Sequence, residues 1–361
     1  MSKKLFTEAH LNGLTLSNHL VMAPMTRSRA IGNVPNDLMV EYYRQRTQAG
    51  LIITEGTSPS PNGTGYPRIP GIYTTEQVQG WKLVTDAVHE EGSKIFLQIM
   101  HTGRVGHPNN MPEGGELLSA SAIVAAGEMY TDQAGPQPHP IPKEMTKTDI
   151  QNAISEFVKA AQNAVEAGFD GVELHGANGY LLEQFLSPGS NQRTDEYGGS
   201  DKNRNRFTLE VTEAVINAIG KDKTAIRLSP DGAFNDIQPY SEEQAELLAQ
   251  GLNKLDVVYV HLVDHTSMGS PAVNPIIVQK IRAAFKGTLI LSGGYDAARA
   301  EEVLQDGSAE LVAFGRPFLS NPDLVERFKT GAPLNQTDFS TFYTPGEKGY
   351  TDYPVLAEMT A

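Results

Sequence analysis

The 361-residue chain contains no cysteine. Disulfides, thiolate metal sites, iron–sulfur clusters and cysteine nucleophiles are thereby excluded, while the compartment stays open. Long apolar runs are missing as well, and no stretch approaches the ~20 apolar residues that cross a bilayer. Lys3 and Lys4 are not followed by an apolar segment. No signal peptide is expected, and the chain reads as cytoplasmic. The sequons Asn62-Gly63-Thr64 and Asn335-Gln336-Thr337 mean little without such a signal. Positive charge is scarce: 29 Lys plus Arg stand against 43 Asp plus Glu, a net −14. An acidic surface argues against nucleic acid or an anionic membrane as the main partner. Also absent are G-x-G-x-x-G and Walker A sequences, the usual marks of a doubly wound nucleotide fold.

What is present is a repeat of short apolar runs and longer amphipathic ones. Strands are expected at 19–26, 51–56, 94–101, 171–176, 224–230, 257–264, 288–294 and 310–315. They are rich in Val, Ile and Leu, as strands buried on both faces should be. Between them lie helical patterns. The clearest starts at a Thr146 or Thr148 cap, runs through Ile150, Ile154, Phe157, Val158, Ala161 and Val165, and stops at Gly168. Another carries Phe207, Val211, Ala214, Val215 and Ala218 and ends at Gly220. Helices also fit 37–49, 76–91, 242–255, 275–285, 297–305 and 322–329. Eight strand–helix units predict an α/β protein with a (β/α)8 TIM barrel, in one domain over 1–361.

Two segments break the repeat. Residues 103–145, after the third strand, are rich in Gly and Pro and too long for an ordinary loop. A lid insertion is expected there, with 117–125 in a hairpin. The tail over 332–361 carries Phe339, Phe342, Tyr343, Tyr350 and Tyr353, and so is expected to pack on the barrel.

Barrel chemistry gathers at the carboxyl ends of the strands. Thr26 ends the first run, His101 the third and His175 the fourth, with Asn178 and Tyr180 just beyond. Gln98 and Arg227 interrupt apolar strands, either as a structural polar layer with Arg227 paired to Glu173 or as ligand contacts. The seventh and eighth runs end in Ser292-Gly293-Gly294 and Gly315-Arg316-Pro317. Glycine backbone and an arginine there suit a phosphate, although tight turns alone would also use them. A His/Asn pair beside a tyrosine suits a carbonyl oxygen that gains negative charge and a carbon that needs a proton. Tyrosine, with a pKa of about 10, keeps its proton at neutral pH. No metal is expected, since His19-Leu20-Val21 lacks the H-x-H of barrel metallohydrolases. No lysine ends a strand, as a Schiff-base aldolase would require.

The same residues carry a family resemblance. Met22-Ala23-Pro24-Met25-Thr26-Arg27, Gln98-Ile99-Met100-His101-Thr102-Gly103-Arg104 and the run from Phe169 to Leu181 with His175-Gly176-Ala177-Asn178-Gly179-Tyr180 stand in order. Arg227-Leu228-Ser229-Pro230, Ser292-Gly293-Gly294-Tyr295, Gly315-Arg316-Pro317 and Gly349-Tyr350-Thr351-Asp352-Tyr353-Pro354 follow. With these motifs the chain resembles the old yellow enzymes from about Leu5 to Leu356. The resemblance implies FMN, reduced by NADPH or NADH, and an ene-reductase acting on enones, enals, maleimides or nitroalkenes. It implies FMN contacts from Pro24, Met25, Thr26, Thr57, Gln98 and Arg227, with Gly294, Gly315 and Arg316 on the phosphate. His175 and Asn178 would clasp the substrate oxygen, hydride would pass from flavin N5 in a ping-pong cycle, and Tyr180 would give the proton. Tyr66 and Tyr343 would line the pocket. Thr26 in place of cysteine marks the larger subgroup. Asn178 stands where some bacterial relatives have histidine, and Met100 where others have tryptophan. A monomer or weak homo-oligomer is expected. The competing readings are a flavin-free, phosphate-binding barrel isomerase or lyase, and a binder of small molecules without turnover. A dienoyl reductase with an iron–sulfur cluster is disfavoured by the missing cysteines.

Overall fold

The computed structural model describes residues 3–266, 269–270 and 272–356; Met1, Ser2 and the last five tail residues, 357–361, lie outside them. Eight parallel strands close into a barrel in chain order: Leu20–Met22, Leu51–Ile53, Lys94–Ile99, Gly171–Gly176, Thr224–Leu228, Tyr259–Val263, Thr288–Ser292 and Leu311–Phe314. All eight expected runs are there, and most are shorter than their apolar stretches. The first stops at Met22 because Pro24 has no N–H to continue a ladder.

Most buried apolar residues sort into two layers, and a smaller cluster of Ile69, Met100, Val105, Ala125, Met129 and Tyr180 lies beside the inserted segment. One layer lies between barrel and helices, where Ile52, Leu97 and Leu174 meet Val84, Phe157 and Phe207. The helix Lys147–Glu166 shows how sequence directs that layer: Thr146 and Asp149 form a capping box, and Ile150, Ala153 and Phe157 are buried. The second layer fills the barrel interior with Val21, Ile53, Phe96, Tyr259 and Ile290. It is sealed at the amino-terminal end by an unexpected hairpin, Ala9–Leu11 against Leu14–Leu16. Its two-residue turn is Asn12-Gly13, both with positive φ (46° and 89°), and Leu11 and Leu16 pack into the interior.

The insertion over 103–145 leaves after the third strand, but its hairpin is not where expected. Glu128–Thr131 pairs antiparallel with Gly135–Pro138, whereas Leu118–Ser119 runs parallel to Lys143–Glu144. Hairpin register is set by Met129 and Thr131, which are buried, while Glu128 and Tyr130 face out. The described part of the tail packs on the barrel. Tyr350 stacks on Tyr42 with centroids 4.1 Å apart, and Arg27 Nη2 and Arg29 Nη2 donate to the carbonyls of Gly349 and Thr341 at 2.7 and 2.8 Å. No helix among the described residues is long and apolar enough to cross a membrane.

Candidate active site

A cavity of about 1030 Å3 opens at the carboxyl ends of the strands. The first strand delivers Pro24, Met25 and Thr26 to it, because the chain runs straight on from Met22 while Ala23 N–H holds Phe314 O at 3.0 Å. Gln98 and Met100 come from the third strand and its end. Thr57 does not reach the cavity. Its N–H donates to Gln98 O (2.9 Å), its carbonyl accepts from Met100 N (2.8 Å), and its hydroxyl donates to Glu55 O (3.0 Å). Its backbone groups are thus committed to the barrel, and Thr57 is absent from the lining.

Beneath the cavity lies a buried polar chain. Gln98 Nε2 donates to Glu173 Oε1 (2.8 Å), Glu173 Oε2 meets His261 Nδ1 (2.9 Å), and His261 Nε2 meets Ser292 Oγ (2.9 Å). Burial would raise the Glu173 carboxyl, but His261 and the Arg227 charge hold it below its ordinary value. Arg227 forms no ion pair with Glu173 among the described residues, contrary to the structural alternative. It is 6% exposed and in register with His175 and His261, and its Nε has no hydrogen-bond partner among the described residues. A buried cation with an unused N–H beside a cavity fits the edge of a polar ring.

The fourth strand ends in a tight turn that presents three side chains. Asn178 and Gly179 have φ of 59° and 78°. A Cβ at 179 would lie 2.7 Å from Asn235 Cβ, so glycine is required there. Three contacts fix the turn: Asn178 N–H to Ser229 Oγ (2.9 Å), Ser229 Oγ to Glu183 Oε1 (2.6 Å) and Gly179 N–H to Glu183 Oε2 (2.6 Å). His175 is 3% exposed. Burial and the Arg227 charge hold it far below the usual histidine range, so its imidazole is neutral at pH 7. Tyr180 lies edge-on to His175, with centroids 4.8 Å apart, and its hydroxyl donates to Tyr66 Oη at 3.0 Å. Burial and the Tyr66 ring push its pKa well up.

Gly294, Gly315 and Arg316, from the ends of the seventh and eighth strands, line the same cavity. Gly293 has a φ of 122°, and a Cβ there would lie 2.2 Å from Asp264 O. Arg316 lies over the Phe339 ring at 5.5 Å. Tyr343 is at the mouth, 61% exposed, with its carbonyl accepting from Arg68 Nη2 (2.8 Å). The cavity therefore gathers every expected site residue except Thr57. One residue was missed: His265, after the sixth strand, whose Nε2 lies 2.8 Å from Asn178 Oδ1. The signal was available, since Asp264-His265 ends a barrel run as His175 does. No cluster of three or more His, Asp or Glu suited to a metal exists among the described residues.

A parallel eight-stranded barrel whose mouth cavity is lined by a buried arginine and by glycine-rich strand ends fits a flavin mononucleotide. That arrangement defines the FMN-dependent barrel oxidoreductases. The chain belongs to the NADH:flavin oxidoreductase / NADH oxidase family, the old yellow enzymes, whose profile it matches over residues 4–335. It is 42% identical to 12-oxophytodienoate reductase 7 of Oryza sativa subsp. japonica, covering 98% of this chain and 95% of that one. It is likewise 42% identical to a probable flavin mononucleotide-dependent alkene reductase of Leishmania infantum, over 96% of each chain. The structure of morphinone reductase in complex with tetrahydroNAD superposes with a TM-score of 0.92 at 44% identity, covering 98% of this chain and 97% of that one.

Proposed function

We propose that this protein reduces carbon–carbon double bonds activated by a carbonyl or nitro group, using NADPH or NADH in a ping-pong cycle. The observation that carries this reading is the turn after the fourth strand, where neutral His175, Asn178 and the protonated hydroxyl of Tyr180 share one cavity. When bound, FMN supplies a two-electron carrier between nicotinamide and alkene. Arg227 would balance the charge that reduction places on the ring's polar edge, with Gln98 and the Thr26 hydroxyl holding the rest of that edge. Pro24 and Met25 would pack against the ring, and Gly294, Gly315 and Arg316 would hold the phosphate. His175 and Asn178 clasp the substrate oxygen and draw electron density from the double bond. Tyr180 holds a proton for the α-carbon, and its neighbour Tyr66 accepts a hydrogen bond from it. Tyr343 and the 103–145 insertion, as a lid, bound the mouth. Enones, enals, maleimides and nitroalkenes all present the required oxygen. Support comes from the similarity to a probable flavin mononucleotide-dependent alkene reductase and to 12-oxophytodienoate reductase 7, and from the tetrahydroNAD bound to morphinone reductase. The flavin-free isomerase or lyase reading falls with the family membership.

The test is anaerobic spectroscopy. The purified protein should be yellow, bleach with NADPH and regain colour with 2-cyclohexenone. A bleached protein whose colour is not restored by any activated alkene would refute the proposal.

A further inference from the structure

We propose that His265 sets the sense of the Asn178 side-chain amide and thereby makes the site selective for ligand groups that only accept hydrogen bonds. The inference rests on the proposed role of His175 and Asn178 as the substrate clasp. A primary amide has an accepting oxygen and a donating NH2, and only its partners decide which of them faces a ligand. His265 Nε2 lies 2.8 Å from Asn178 Oδ1. An amide oxygen cannot donate, so Nε2 carries the ring proton. The ring is 4% exposed, and Phe234 stacks on it at 5.5 Å and 23°. Burial, together with the Arg227 charge, lowers its pKa to about 4, so only one ring nitrogen is protonated at pH 7. His265 Nδ1 is buried with no hydrogen-bond partner among the described residues, which leaves Nε2 as the proton's place.

The rest of Asn178 is fixed by other groups. Its N–H is held by Ser229 Oγ (2.9 Å), its carbonyl accepts from Asn235 Nδ2 (2.7 Å), and its backbone sits at φ 59°. The rotation of the amide itself is what remains, and His265 holds it. With Oδ1 taken, Nδ2 is the group offered to the ligand beside His175. A ketone or nitro oxygen meets a donor. Without His265 the amide is free to turn over, and the same oxygen then meets a lone pair. A carboxamide carries both C=O and NH2 and can turn over with it. His265 is therefore a positioning residue that acts through Asn178.

The experiment uses the FMN-loaded protein and its His265→Ala and His265→Gln variants. Each is titrated with cyclohexanone, which only accepts, and with tetrahydroNAD, which bears a carboxamide, following the flavin spectrum. Steady-state kinetics with 2-cyclohexenone separate KM from kcat. For His265→Ala, cyclohexanone binding should weaken about tenfold and the enone KM should rise by a similar factor, as expected for one lost donor. Binding of tetrahydroNAD should change by about threefold at most. Glutamine, whose amide NH2 can donate to Asn178 Oδ1, should recover most of the loss. Equal weakening of both ligands, no weakening of either, or no recovery by glutamine would overturn the inference. A wild-type protein that binds no ketone and reduces no enone would overturn the proposed function along with it. Enone turnover with an unchanged ligand ratio in His265→Ala would overturn the inference alone.

Discussion

At the amino-terminal end of the barrel the chain closes on itself. The hairpin Ala9–Leu16 plugs the interior with Leu11 and Leu16, above Phe96 and Tyr259 packed 5.8 Å apart. At the carboxyl end the same strands do the opposite. There the interior turns polar at Gln98, Glu173, Arg227 and His261, and above that layer the mouth stays open as a cavity of about 1030 Å3. Apolar burial stabilises the closed end; at the open end Arg227 Nε has no hydrogen-bond partner among the described residues and is available to a ligand. One barrel thus separates what holds it together from what it does. Changes at one end should move stability and changes at the other should move chemistry.

The sharpest test of that division is Phe96→Ala. The ring is fully buried in the interior layer, so unfolding stability should fall by about 3–5 kcal/mol. Activity per bound flavin should stay unchanged. Denaturant titration and flavin-normalised rates check both, and a large drop in normalised rate would break the division.

Next in size is Arg29→Ala, which joins the two properties. Arg29 donates to the carbonyls of Arg27, Phe342, Thr341 and Lys348 at 2.6 to 3.1 Å. Leaving these carbonyls unpaired should cost ~2–4 kcal/mol. The loosened tail carries Phe342 and Tyr343 at the mouth, so the alkene KM should rise too. An unchanged KM would detach the tail from the site.

Tyr180→Phe should act on chemistry alone. Alkene turnover should fall about 100-fold, while bleaching by nicotinamide persists. Stopped-flow measurement of the two half-reactions separates them. Alkene reduction at the native rate would assign the proton to another donor.

The remaining effect is on pH dependence. Burial raises the Glu183 carboxyl from 4.5 to about 8, with donors at Ser229 and Gly179 offsetting part of the rise. Between those values the folded protein keeps a proton that the unfolded chain has lost, so stability falls as pH rises from about 4.5 to about 8. Glu55, raised to about 7 by burial, adds in the same direction. Glu183→Gln should flatten the decline of Tm with pH, leaving the Glu55 part. Parallel Tm curves for the two proteins would exclude Glu183 as a source of that decline.

The division also explains what the sequence made legible. The eight interior strands are short apolar runs, and both their order and the Thr146 cap could be read directly. Their ends could not, because Ala23 and Met25 remain apolar after pairing stops at Met22. The plugging hairpin has only three residues in each arm, too few for an alternation to register, although Asn12-Gly13 is a turn signal. Pro136 and Pro138 hid the strand Gly135–Pro138, which sits in an isolated two-stranded ribbon where a missing N–H is tolerated. At the site, strand-end residues were legible because their positions follow from the repeat. His265 stands just past the sixth run and so carried the same positional signal, but its role could not be read, because it depends on a contact between two loops 87 residues apart in sequence. Thr57 looked equivalent to its neighbours in the motif, but its hydrogen bonds are all made behind the lining.

Thr26 faces the cavity, and Arg27 and Arg29, one and three residues later, grip the segment from Thr341 to Gly349. The loop after the first strand is therefore a hinge pin between chamber and chain end. Trimming the protein ahead of Thr341, or anchoring a fusion partner there, would disturb the chamber wall as directly as a substitution inside it.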